Sequence, residues 1–215
     1  MTPVRRLSLC SSAWLLALVV AALVFSAGEA SAQAGKLAVE PVSLPDMALG
    51  ASDAPVTIIE YSSMTCSHCA AFEQSTFRML KSKYIDAASV RFVFREFPLD
   101  NNSAGASMLA RCIGNGDPQR YFSAVDTLFR RQDQLVANAM GTLRAVGQEA
   151  GMSDPAIDRC LNDADQYRKL DTDRRIAVDM VKVDRAPTFF INGRMYTGNM
   201  AFEEMDKIIR WQLRR

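Results

Sequence analysis

An unbroken apolar run from Ala13 to Phe25 follows Arg5 and Arg6 near the start of the chain. Small residues close it, and Ala30-Ser31-Ala32 fits a cleavage site, with Ala32-Gln33-Ala34 as a second register. This layout predicts a signal peptide over 1–32, removed after Ala32 or Ala34. The alternative is an uncleaved membrane anchor, because Leu7 to Phe25 approaches the length that spans a bilayer. Cys10 lies before the apolar core, which argues against a lipid attached there. Residues 33–50 read as a lead-in with one short strand around 37–42. Val56 to Tyr61 is a compact β-branched run behind Asp53-Ala54-Pro55, and therefore a strand. Apolar Phe72, Phe77 and Leu80 recur among helix formers from Cys66 to about Lys83. Val90 to Phe97 predicts the next strand, ended by Pro98.

From about 102 to 181 the pattern is helical. Ser103 to Ile113 is one helix, closed by Gly114 and Gly116. Asp117-Pro118 and Ser153-Asp154-Pro155 each place a capping residue before a proline that fits the first helical turn. Leu170 to Val181 is a last amphipathic stretch. Thr188 to Ile191, Asn192-Gly193 and Arg194 to Thr197 form a hairpin signal, since Asn-Gly supplies the two positive φ angles of a tight turn. Phe202, Met205, Ile208 and Ile209 give a final helix through Gln212. Strand, helix, strand at the front implies a parallel pair joined by a right-handed crossover. The domain so defined covers 51–213.

Composition narrows the chemistry. Lys plus Arg count 25 against 24 Asp plus Glu, so no basic footprint for nucleic acid exists. Five cysteines in 215 residues are too few for a disulfide-built scaffold. A single histidine excludes every zinc site that needs two. Loss of 1–32 leaves acidic and basic residues in balance, with Cys66, Cys69, Cys112 and Cys160 facing an oxidising compartment.

Cys66-Ser67-His68-Cys69 follows a strand and opens a helix, the setting in which a C-x-x-C is read as a redox pair. Residues three apart in the first turn share a face, about 5 Å apart at Cα, within disulfide range. Unpaired N–H groups and the helix dipole stabilise a thiolate on Cys66. His68 adds a positive charge or an N–H donor nearby. The other reading, half a zinc site, lacks ligands, because Cys112 and Cys160 are each isolated.

Glu60 through Cys69, with the sequence Glu-Tyr-Ser-Ser-Met-Thr-Cys-Ser-His-Cys, resembles the active-site strand and helix of DsbA-like thiol:disulfide oxidoreductases. Arg185-Ala186-Pro187-Thr188-Phe189-Phe190-Ile191-Asn192-Gly193 resembles that family's cis-proline loop and hairpin, and Phe97-Pro98-Leu99 fits as well. The resemblance covers about 40 to 213. It implies an α/β, thioredoxin-like fold with a helical domain, about 102–181, inserted between the βαβ and ββα halves.

By that resemblance Cys66 is the nucleophile and Cys69 the resolving thiol. Pro187, in the cis form, lies beside Cys66. Glu60 is the acid buried behind the disulfide and accepts the Cys69 proton; a solvent-facing carboxylate at a strand end is the alternative. The chain departs from the family at three points. Ser67 stands where proline is usual, Ala186 where threonine or valine precedes the cis-proline, and Thr65 replaces thioredoxin's tryptophan. The lead-in is too short for the dimerisation domain of periplasmic isomerases, which favours a monomer.

Cys112 and Cys160 are expected to pair, as in some DsbA-like proteins, in a structural role ahead of a regulatory one. The implied function is a periplasmic oxidase that donates its disulfide to reduced, unfolded exported proteins. A membrane quinone-linked, DsbB-like partner would reoxidise it, with no cofactor and no metal in the domain. The alternatives are a reductase or isomerase kept reduced by a membrane donor, or a metallochaperone or unfolded-protein-binding module.

Overall fold

The computed structural model describes residues 43–214. The expected signal segment 1–32, its cleavage sites and the expected strand at 37–42 lie outside the described residues. A five-stranded sheet in the order β1-β3-β2-β4-β5 forms the centre. Its strands are β1 (Met47–Leu49), β2 (Val56–Ser62), β3 (Val90–Glu96), β4 (Thr188–Ile191) and β5 (Arg194–Thr197). β2 and β3 run parallel, and the other neighbours are antiparallel. β1 falls within the stretch read as lead-in. Three residues give too short an alternation to announce a strand, and pairing of Met47 with Phe94 and Leu49 with Phe92 makes it one. Gly50 then turns the chain with φ +87°, where a Cβ would meet the Val90 carbonyl oxygen at 2.2 Å.

The crossover between β2 and β3 is helix α1, residues 67–85. Ser67–Phe72 and Arg78–Leu80 are α-helical, while Glu73–Phe77 and Lys81–Ile85 are π-helical turns. The inserted block comprises α2 (Asn101–Gly114), α3 (Pro118–Arg130), α4 (Gln132–Ala137), α5 (Ala139–Glu149), α6 (Asp154–Leu161) and α7 (Ala164–Asp179). Helix α8 (Phe202–Gln212) closes the fold. α2 begins and ends elsewhere than 103–113: Asp100 caps it by accepting from the Ser103 N–H at 2.7 Å, and left-handed Asn115 ends it. α7 starts at Ala164, six residues before the expected stretch, because Asp163 accepts from the N–H groups of Asp165 and Gln166.

β2 is buried on both faces, as a central strand between helical layers must be. Val56 and Ile58 join Phe72, Leu80 and Phe92 in the larger core, which also takes residues of α2, α3 and α8. Ile59 and Tyr61 point the other way, to Ala177, Val181 and Phe190. The core is aromatic, with Phe72 against Phe189 at 4.6 Å and Phe77 against Phe92 at 4.8 Å between ring centroids. Each such ring contributes about 2–3 kcal/mol by leaving water. Buried polar groups pin the block to the sheet. Glu96 at the end of β3 lies 2.6 Å from Arg111 Nε and accepts from Tyr121 Oη at 2.7 Å. Among the described residues no helix is long and apolar enough to cross a membrane.

Candidate active site

The parallel strands β2 and β3 both end on the side where α1 begins, so the β2–α1 loop carries the cysteine pair over the carboxyl end of the sheet. Cys66 is the N-cap of α1, with extended backbone, and its Sγ accepts from the Cys69 N–H at 3.3 Å. Cys69 lies one turn in and is fully buried, while Ser67 and His68 face solvent. Both cysteines are free thiols.

Opposite environments drive the two sulfurs apart. The Cys66 thiol is lowered from 9.0 to about 6, first by the hydrogen bond from the Cys69 side chain. Burial works against this shift, while the N–H groups of Cys69 and His68 and the His68 imidazole assist it. Cys69 is driven far upward, chiefly by burial, then by its bond to Cys66 and by the charges of Glu60 and Cys66. Near neutral pH the pair therefore holds one thiolate just under the surface, with Cys66 8% exposed, and one thiol beneath it. The thiolate is the nucleophilic form, and the thiol is a proton store.

Ala186 and Pro187 reach this site from the far half of the fold. Their peptide bond is cis, and the Cys66 thiol faces the Ala186 carbonyl oxygen at 3.3 Å. Pro187 is followed directly by β4, whose Phe189 lies level with Glu60 of β2. Glu60 is 1% exposed, between Phe94 on one neighbouring strand and Phe189 on the other. Burial raises its carboxyl from 4.5 to about 8; the nearby Ser62 hydroxyl opposes the rise and the charge of Cys66 adds to it. The structure thus gathers Cys66, His68, Cys69, Pro187 and Glu60 at one end of the sheet. The solvent-facing alternative for Glu60 does not hold, because phenylalanines flank it on both strands.

Cys112 and Cys160 sit elsewhere, joined by a disulfide between α2 and α6 with Cα atoms 6.3 Å apart. Among the described residues no group of three or more His, Cys, Asp or Glu gathers as a metal-binding set.

Two supports of the site carry no sequence signal. Gln132, at the start of α4, donates from Nε2 to the carbonyl oxygens of Met64 at 2.8 Å and Cys66 at 3.1 Å. Ser103, in the first turn of α2, receives the Met64 N–H at 3.2 Å and shares a 2.7 Å bond with Ser63 Oγ. The cysteine loop is thereby held by two helices of the inserted block, α2 and α4. Glutamine and serine are ordinary at such positions, so only a known fold could have singled them out.

The thioredoxin family model matches residues 43–210. The chain is a DsbA-like member of the thioredoxin family. The crystal structure of alpha-DsbA1 from Wolbachia pipientis superposes with a TM-score of 0.76 at 28% identity, covering 83% of this chain and 95% of that one. Bacillus subtilis BdbD in its oxidised form shares the fold, with a TM-score of 0.69 at 20% identity over 79% of this chain and 94% of that one. A Rickettsia bellii relative, named "Putative protein-disulfide oxidoreductase", is 33% identical over 169 residues. That match takes in 76% of this chain and 64% of the relative, so the chain spans less than two thirds of the relative's length. The thioredoxin-like sheet with helices α2–α7 inserted between β3 and β4 is consistent with the fold of that DsbA structure.

Proposed function

We propose that this chain is a thiol:disulfide oxidoreductase of the oxidase type, which donates a Cys66–Cys69 disulfide to reduced exported proteins. The observation that carries the reading is the asymmetry of the pair, with Cys66 held as a thiolate and Cys69 as a buried thiol. Stabilising a thiolate stabilises the reduced protein, and each pKa unit makes the pair a stronger oxidant by roughly 30 mV.

In this mechanism a substrate thiolate attacks the Cys66 sulfur, the more exposed of the two, and Cys69 leaves. A second substrate thiolate then displaces Cys66, a good leaving group because its thiolate is stabilised. Pro187 and the Ala186 carbonyl beside Cys66 form the wall along which the substrate main chain lies. Glu60 manages the Cys69 proton. The Cys112–Cys160 bridge has a structural role, closing the helical block away from the pair. The N-terminal segment exports the protein to the periplasm, and a membrane quinone-linked protein resets the disulfide.

The test is the reduction potential of the domain in glutathione buffers, read by alkylation of Cys66 and Cys69, together with oxidation of a reduced, unfolded protein. A potential well above the glutathione couple and turnover lost in Cys66→Ala are the expected results. A potential near that of thioredoxin would transfer the assignment to a reductase or isomerase.

A further inference from the structure

Beneath the cysteine pair two polar atoms are enclosed without a partner. Glu60 Oε2 and Ser62 Oγ are both buried and neither makes a well-formed hydrogen bond, a state that costs about 1–3 kcal/mol per group and is uncommon in folded proteins. The two residues are separated by two positions on β2, so they share its face with Val56 and Ile58. That face packs under α1, where Cys69 and Phe72 belong to the same core as Ile58. Ser62 is 1% exposed and pairs in register with Glu96, whose carboxylate is already taken by Arg111 and Tyr121. The hydroxyl acts instead on its other neighbours. Its dipole favours the charged forms of both Glu60 and Cys69. Buried on the β2 face beneath α1 with no partner of its own, it has capacity to spare toward each.

We propose that the Ser62 hydroxyl is a catalytic proton relay between Glu60 and Cys69, an inference that rests on the thiol:disulfide exchange reading above. When a substrate thiolate attacks Cys66 Sγ, the Cys66–Cys69 bond breaks and its electron pair remains on Cys69 Sγ. Ser62 gives its hydroxyl proton to that sulfur and takes the proton of the Glu60 carboxyl, which is left as a carboxylate. The second substrate thiolate displaces Cys66 as a thiolate. The substrate dithiol has then lost two electrons and two protons, and the cysteine pair has gained the two electrons. One of those protons returns through solvent to Glu60 and the other is released. Reoxidation runs the relay backward. The unpartnered atoms of the resting dithiol are the acceptor and donor positions that the moving proton uses. Other titratable groups bearing on Glu60 are Cys66 and Glu73 from α1 and Tyr121 from α3.

The two cysteines can be timed separately. Reduced protein mixed with 5,5′-dithiobis(2-nitrobenzoate) releases one coloured thiolate when Cys66 attacks the reagent. It releases a second when Cys69 attacks the Cys66 mixed disulfide, a step that requires Cys69 to lose its proton. Ser62→Ala should slow the second release by roughly 10- to 100-fold, the range of a lost general acid–base group, and leave the first unchanged. Ser62→Thr, which keeps the hydroxyl, should restore it. In the unmodified protein two protons move together, so the second rate should fall along a curve as D2O replaces H2O. A second release in Ser62→Ala at the parent rate, or a straight-line dependence on D2O fraction, would overturn the relay. Failure of the underlying reading looks different: both releases proceed, yet the oxidised protein passes no disulfide to a reduced peptide.

Discussion

Gln132 Nε2 donates to the carbonyl oxygen of Cys66 at 3.1 Å, so a side chain of the inserted helical block grips the main chain of the reactive cysteine itself. The same nitrogen holds the Met64 carbonyl oxygen at 2.8 Å, using its second hydrogen. Without it, two partly buried carbonyls on the loop lose their donor. Gln132→Leu should cost about 1–3 kcal/mol in urea denaturation, with an unchanged dependence on denaturant. It should also broaden the Cys66 thiolate titration as the loop loosens. A stability within 0.5 kcal/mol of the parent, about the scatter expected for a surface change, would mean that the grip is incidental.

Cys66 sets the pH dependence of the reduced form. Its thiol is lowered in the fold from 9.0 to about 6, chiefly by the Cys69 side chain. A lowered acid adds stability that is complete above its unfolded value and is lost as pH falls through its folded one. The reduced protein should thus exceed the oxidised one in stability near pH 9, by on the order of 2 kcal/mol after solvent screening. The gap should narrow as pH falls from 9 toward 6. Thiolate absorbance at 240 nm should show a midpoint near pH 6, and a midpoint near the ordinary cysteine value would contradict this ordering.

Glu60 works with the opposite sign. Burial raises its carboxyl from 4.5 to about 8, so its contribution is complete below the unfolded value and is lost as pH rises through the folded one. The oxidised protein, in which Cys66 and Cys69 do not titrate, isolates the effect. Glu60→Gln should gain on the parent by a few kcal/mol between about pH 4.5 and pH 8 in oxidised-state denaturation, since the amide carries no charge to bury. Glu73, 4% exposed and raised by burial and by Glu60, titrates in both proteins, so the comparison removes most of its share. Parallel stability curves across that window would show that Glu60 is solvated in solution.

The Cys112–Cys160 bridge spans 48 residues of sequence. Closing a loop of that size stabilises by roughly 4 kcal/mol through the unfolded chain. Replacing both cysteines by alanine should lower the denaturation midpoint accordingly. The Cys66 thiolate titration should stay in place, because the bridge joins α2 to α6 and not to the β2–α1 loop. A shift of that titration would assign the bridge a regulatory role.

What could be read from the chain was whatever is local. The β-branched run at Val56, the proline at the first turn of α3 and the Asn192-Gly193 turn each specify their element with near neighbours alone. The redox pair was legible for the same reason, since a strand end, two cysteines and a helix start lie within one stretch of sequence. Gly114 misled because its role is distant: a Cβ there would meet Tyr121 Cβ at 2.9 Å, so it serves helix packing, and Asn115 takes over the end of α2. The burial of Glu60 depends on Phe189 from the other half of the fold, and the grip of Gln132 crosses 66 residues to Cys66. Neither leaves a trace in periodicity.

That long reach has a consequence for how the chain acquires its structure. Cys66 meets the Ala186 carbonyl across 120 residues, and β2 finds β4 only after the whole helical block has been traversed. Contacts of such sequence separation form late, because the loop between them must first be closed. During synthesis the helix bearing the cysteines and the parallel pair β2–β3 precede β4, so the thiols emerge before the wall that will face them. The nascent chain therefore passes through a stage in which Cys66 and Cys69 have only half of their site, and the completed site dates from the arrival of its last hairpin.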